Sequence, residues 1–171
     1  MSDGATTHSL DTSTGMWKDL GEWALPFTGQ AFFDADLDAW VGLRRSRYRA
    51  ASVAVCCCPV VSRSAVATRP PRCTMLKEDG DDRLIRRGED DPMYRPWVRG
   101  TTLTYMGDSR FALVENVLRG KNATDGAVLH VTLFGLMYDQ TGELRTKAHR
   151  ATRSYAVSKH TTLFSHAAFW M

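Results

Sequence analysis

Between Arg99 and Phe164 apolar and polar residues alternate in long runs, and the alternation predicts three or four antiparallel strands. The run from Trp97 to Tyr105 is rich in β-branched and aromatic residues and is closed by Gly107-Asp108. Phe111 to Leu118 follows, then a polar tip from Arg119 to Gly126, then a return from Ala127 to Phe134. Two apolar runs around a tip rich in Asn, Asp and Gly predict a hairpin, because those residues tolerate the left-handed backbone of a tight reversal. Residues 139–142 read as a turn, 143–157 as a polar strand, and 161–169 as a final strand.

The earlier half is less regular. Residues 1–15 are rich in Ser, Thr, Gly and Asp and are expected to be disordered. Residues 16–171 are expected to form one domain, interrupted at 34–96. Pro26 and Gly29 punctuate an extended stretch from Ala24 to Phe32. Asp34 to Leu43 reads as a short helix with Asp34 or Asp36 as its cap. Gly42 to Thr74 shows no period of either kind and reads as an irregular insertion or a frame-shifted piece; Met75 to Pro92 reads as a charged, solvated loop.

A length of 171 residues and an apolar share of 43% fit one globular domain with a sizeable core. No apolar run is long enough to cross a bilayer, and Met1 to His8 has neither the basic start nor the apolar centre of a secretory signal, so a cytoplasmic protein is expected. The net charge of +3 is misleading. Residues 42–74 hold Arg44, Arg45, Arg47, Arg49, Arg63, Arg69 and Arg72 with no acid or lysine, so the rest of the chain is net acidic. Tyr48 is the lone aromatic there, which argues against a surface for nucleic acid. The cysteines, Cys56, Cys57, Cys58 and Cys73, lack zinc-site spacing, and three in a row cannot pair among themselves. They are expected to be free thiols.

Chemistry enters with Glu115 and His130, each of which interrupts an apolar face. A hairpin centred near Asn122 or Ala123 places Glu115 across from His130 or Val131. A carboxyl and an imidazole meeting in apolar surroundings can move a proton to or from a bound molecule; the competing reading turns one or both to solvent. Tyr105, Tyr138, His149 and Arg99 are the candidate ligand-binding groups. No phosphate loop, GxSxG or paired zinc histidines occur, so neither a cofactor nor a metal is expected.

Arg99-Gly100-Thr101-Thr102-Leu103 followed by Gly107-Asp108, Thr124 to Val131, Tyr155-Ala156 before Leu163-Phe164, and Pro26 to Phe32 occur in an order that resembles an uncharacterised lipocalin-like family, domain-of-unknown-function family three-two-three-seven. The resemblance implies an all-β fold, a lipocalin-like (calycin-type) antiparallel β-barrel whose interior holds a small ligand. The expected function is binding of a small apolar or aromatic molecule, with cofactor-independent isomerase, cyclase or dehydratase chemistry at Glu115 and His130. The alternatives are a non-catalytic binding or scaffold protein, a product that does not fold stably, and an α+β dehydratase or cyclase resembling nuclear transport factor. A homodimer is left open; nucleic acid and membrane are not expected as partners.

Overall fold

The computed structural model describes residues 2–3, 6–45, 53–59, 72–76, 98–118, 126–147 and 151–157. Their regular structure is antiparallel β in three sheets, with no helix among the described residues. The first sheet joins β1 (Ser2–Asp3), β2 (Thr6–Asp11) and β3 (Met16–Gly21) in that order. The second joins β4 (Phe27–Asp34), β5 (Ala39–Arg45), β6 (Val53–Pro59) and β7 (Thr74–Met75). The third runs through β8 (Val98–Gly107), β9 (Arg110–Leu118) and β10 (Ala127–Tyr138), and β10 then pairs with both β11 (Leu144–Thr146) and β12 (Ala151–Val157).

The all-β reading therefore holds, and no closed barrel is found among the described strands. Among the described strands each sheet is a meander, pairing inside its own stretch of chain, and no ladder joins one sheet to the next. The physical reason lies in the core. Ala39, Val41, Leu43, Val55 and Cys57 of the second sheet pack against Leu103, Phe111, Leu113, Phe134, Leu136 and Leu144 of the third. Two apolar faces cover each other, so neither sheet has to close on itself. The same alternation that lines a barrel lines a sheet-on-sheet core.

Three earlier stretches differ from expectation. Residues 2–3 and 6–11 are strands. Asp34 to Leu43 is the end of β4, a turn over 35–38 and the start of β5, not a helix: the Asp34 carboxylate accepts the Leu37 N–H at 2.9 Å and so fixes the turn. Residues 39–45 and 53–59, expected within an insertion, are paired strands, with Val41, Cys56 and Cys57 fully buried. The pattern is hidden in β6, where Val55, Cys56, Cys57 and Cys58 are all buried in succession. Cys57 faces the core, while Gly42 on the other face gives way to the Phe27 ring, which occupies the space its Cβ would take. The expected loop at 77–92 and strand at 161–169 lie outside the described residues.

Two turns place the chemistry. Between β8 and β9 only Asp108 and Ser109 intervene, with φ of 52° and 54°, as a two-residue hairpin requires. Between β10 and β11, Asp139 Oδ1 accepts the Thr141 hydroxyl and the N–H groups of Thr141 and Glu143, and Oδ2 accepts Arg145 Nε at 2.7 Å. The Thr141 hydroxyl above all, with the two N–H groups and the guanidinium, holds the Asp139 carboxyl well below the usual carboxylate range. Its stabilising effect is complete above the unfolded value and fades as pH falls through the lower folded one. Asp139→Asn is therefore expected to lower Tm at pH 7, and the gap from the native protein should close as both are melted in increasingly acidic buffer. An unchanged gap between neutral pH and about pH 2 would contradict this role for the charge.

Candidate functional site

The third sheet carries a polar row across four strands. Its register sets Thr101 of β8 opposite Glu115 of β9, Glu115 opposite His130 of β10, and His130 opposite Ser154 of β12. Directly opposed residues of antiparallel strands share a face with Cβ atoms about 5 Å apart. The ladder alone thus brings a hydroxyl, a carboxyl, an imidazole and a second hydroxyl into line. His130 Nδ1 and Ser154 Oγ are 2.8 Å apart. Glu115 is 2% exposed, His130 is half-buried and Ser154 is open to solvent, so the row runs from interior to surface.

The row next to it, toward the core, grades from apolar to polar. Leu103 opposes Leu113, Leu113 opposes Thr132, and the Thr132 and Thr152 hydroxyls meet at 3.1 Å. Beyond them lie Phe111 and Phe134. Glu115 therefore sits where the inter-sheet core gives out. A carboxyl this deeply placed is costly to charge unless it is partnered, and the residue directly across the ladder from it is His130. The Ser154 hydroxyl holds one ring nitrogen of His130 and so sets the ring's orientation.

The other candidates lie elsewhere. Tyr105 and Tyr138 are on the same face at the opposite end of the sheet, beyond the apolar core. Beside Tyr105 stands Asp34, fully buried, whose Oδ1 accepts both the Leu37 N–H and the Ser109 hydroxyl at 2.9 Å. Its Oδ2 is buried with no hydrogen bond of ordinary geometry. The Tyr105 phenol is raised by partial burial and then by the Asp34 carboxylate beside it. Burial also pushes the Tyr138 phenol up to about 12, and the Cys57 thiol, which shares a hydrogen bond with it, to about 12. A thiol held protonated in this way is no nucleophile at neutral pH. Arg99 lies on β8 with its side chain outside the described residues, and His149 is outside them altogether.

The candidates thus divide into two groups at opposite ends of one sheet face, Glu115 with His130 and Tyr105 with Tyr138. Sequence reasoning missed Thr101 and Ser154, which only the strand register reveals, and Asp34, which reads as a helix cap until its turn is seen. Among the described residues no three His, Cys, Asp or Glu are grouped to hold a metal, and no helix is long and apolar enough to cross a membrane.

No curated protein and no solved structure matches the chain. The resemblance to the lipocalin-like family is overturned by a different family match, to "Protein of unknown function (DUF1668)" over residues 1–155. One of the motifs that suggested the first family, Gly107-Asp108, is the β8–β9 hairpin turn, a feature that antiparallel meanders in general select. The DUF1668 match includes residues 42–74, the stretch that composition set apart. Because that match covers most of its length, this chain belongs to the DUF1668 family.

Proposed function

We propose that this protein binds a small, largely apolar or aromatic molecule against the face of the third sheet, with Glu115 and His130 as its proton-transfer groups. The observation that carries the reading is the buried Glu115 directly across from a partly accessible His130. A hydroxyl or carbonyl of the bound molecule would meet His130 at the surface end, with Glu115 balancing charge behind it. This pair supports a cofactor-independent isomerisation, cyclisation or dehydration, in which one proton leaves and one returns. The reading does not need the lipocalin-like barrel: one sheet face and its rim supply the apolar wall and the polar row.

The test is a thermal-shift screen of aromatic and polyketide-like molecules, followed by titration of any hit. Glu115→Gln and His130→Ala are each expected to weaken binding about tenfold, the loss of one hydrogen bond to a charged group. Turnover, where present, should fall further. Unchanged affinity in both variants would remove the pair from the site.

A second reading, a non-catalytic binding or scaffold protein, draws on the first sheet. There Leu10 opposes Trp17 on one face, with Leu10 44% and Trp17 58% exposed. Exposed apolar surface of this kind marks an interaction site when it is contiguous. On that reading Trp17→Ser alters association in sedimentation while Glu115→Gln leaves every binding property intact.

A further inference from the structure

The second sheet ends on a very short edge strand. Strand β7 is two residues long, and its ladder to β6 pairs Cys56 with Met75 and Cys57 with Thr74. The next position of that ladder is Cys58 opposite Cys73, and these two form a disulfide with Cα atoms 4.3 Å apart. The expectation of free thiols is corrected here for Cys58 and Cys73; Cys56 and Cys57 remain free and buried. Immediately beyond β7, the Leu76 N–H donates to the Val55 carbonyl at 2.9 Å, and the Leu76 side chain packs on the inter-sheet core.

Among the described residues, Arg44 Nη1 also reaches Met75 Sδ at 3.7 Å, a weak contact at the surface. Two ladder positions, one further backbone bond and one apolar side chain are a small return for ordering a segment. The covalent link closes a sequence separation of 15, and restricting a loop of that size is worth far more than any one of those contacts.

We propose that Cys58–Cys73 is a thiol–disulfide exchange site, and that its redox state decides whether β7 stays docked on β6. The co-reactant is a dithiol reductant. Its thiolate attacks Cys73 Sγ, the half-buried and more accessible sulfur of the pair, and forms a mixed disulfide. The Cys58–Cys73 bond breaks, and Cys58 leaves as a thiolate that takes up a proton. The reductant's second thiol then displaces Cys73, so two electrons and two protons pass to the pair and the reductant ends as its own disulfide. Cys56 and Cys57 do not compete in this exchange, because burial holds their thiols at about 11 and about 12. With β7 released, β6 becomes an apolar edge strand with open N–H and C=O groups, a surface suited to pairing with another strand.

The experiment uses the full chain, purified without reductant and compared before and after dithiothreitol. Alkylation under denaturing conditions, read by mass spectrometry, should show Cys58 and Cys73 blocked in the first sample and free in the second. Hydrogen exchange at Met75, Leu76 and the facing residues of β6 should speed up on the order of 100-fold on reduction, while β9 and β10 keep their protection. The Cys58→Ser/Cys73→Ser double variant should exchange at the reduced rate with or without dithiothreitol. Four alkylated thiols in the untreated protein would overturn the proposal, and so would exchange at β6 and β7 that is indifferent to reduction. The comparison of native protein in its two states stands even where the double variant fails to fold.

Discussion

Phe111→Ala is expected to destabilise the protein by roughly 3–5 kcal/mol, the range for removing a fully buried aromatic ring. Phe111 is 0% exposed and is the hinge of an aromatic stack, with its ring centroid 5.9 Å from Phe134 and 5.3 Å from Tyr105. It also opposes both residues in the ladders, Tyr105 on β8 and Phe134 on β10. Truncation therefore leaves a cavity at the centre of the sheet face that meets Val41 and Leu43. The neighbours are strand residues held by register and cannot collapse far into the space, which places the cost toward the upper end. For a chain of this size that corresponds to a fall in Tm of roughly 10 °C. Phe111→Leu keeps most of the volume and should cost less than half as much. Urea unfolding of the three proteins checks this; a loss below about 1 kcal/mol for the alanine variant would mean that the two sheets do not share this core.

Asp34→Ala is the second large loss, about 3 kcal/mol, and its cause is polar. Its Oδ1 collects the Leu37 N–H, which makes the β4–β5 turn, and the Ser109 hydroxyl, which belongs to the β8–β9 turn. Ser109 in turn offers its carbonyl to the Leu136 N–H at 2.9 Å, so one carboxylate oxygen ties three strand ends from two sheets. Removing it strands two buried donors, each costing about 1–3 kcal/mol. Asp34→Asn keeps an Oδ1 acceptor for both and puts an NH₂ where Oδ2 is now buried without a bond of ordinary geometry. It should therefore lose well under half of what alanine loses. Equal losses in the two variants, measured by denaturant unfolding, would show that charge rather than this bonding pattern holds the sheets together.

Alternation along β9 and β10 was enough to predict both strands and their pairing, and even to set Glu115 within one residue of its partner. The register His130 to Glu115 is one of the two the sequence allowed, and it puts both side chains on the face that carries the core. What the sequence could not show is how sheets relate to one another. An alternating strand looks the same whether its inner face lines a barrel or lies on a second sheet, and the choice is made by long-range packing. Residues 39–59 were illegible for a different reason. With Val55 to Cys58 all buried, β6 loses the period that marks a strand, and Cys56-Cys57-Cys58 reads as an oddity of composition until Cys58 is seen bridging to Cys73. Asp34 misled because the same side chain that caps a helix can cap a turn. Ser154 and Thr101 carry no signal of their own; they matter only because strands distant in sequence bring them to His130 and Glu115.

The polar row is the claim on which the proposed function rests, and a double-mutant cycle on Glu115→Gln and His130→Ala tests it without any ligand. If the two side chains face each other across β9 and β10, the stability losses of the single variants should fail to add, leaving a coupling energy above about 0.5 kcal/mol. Losses that sum to the double variant's within about 0.3 kcal/mol would show that the pair does not meet, and the site would have to be sought elsewhere on the molecule.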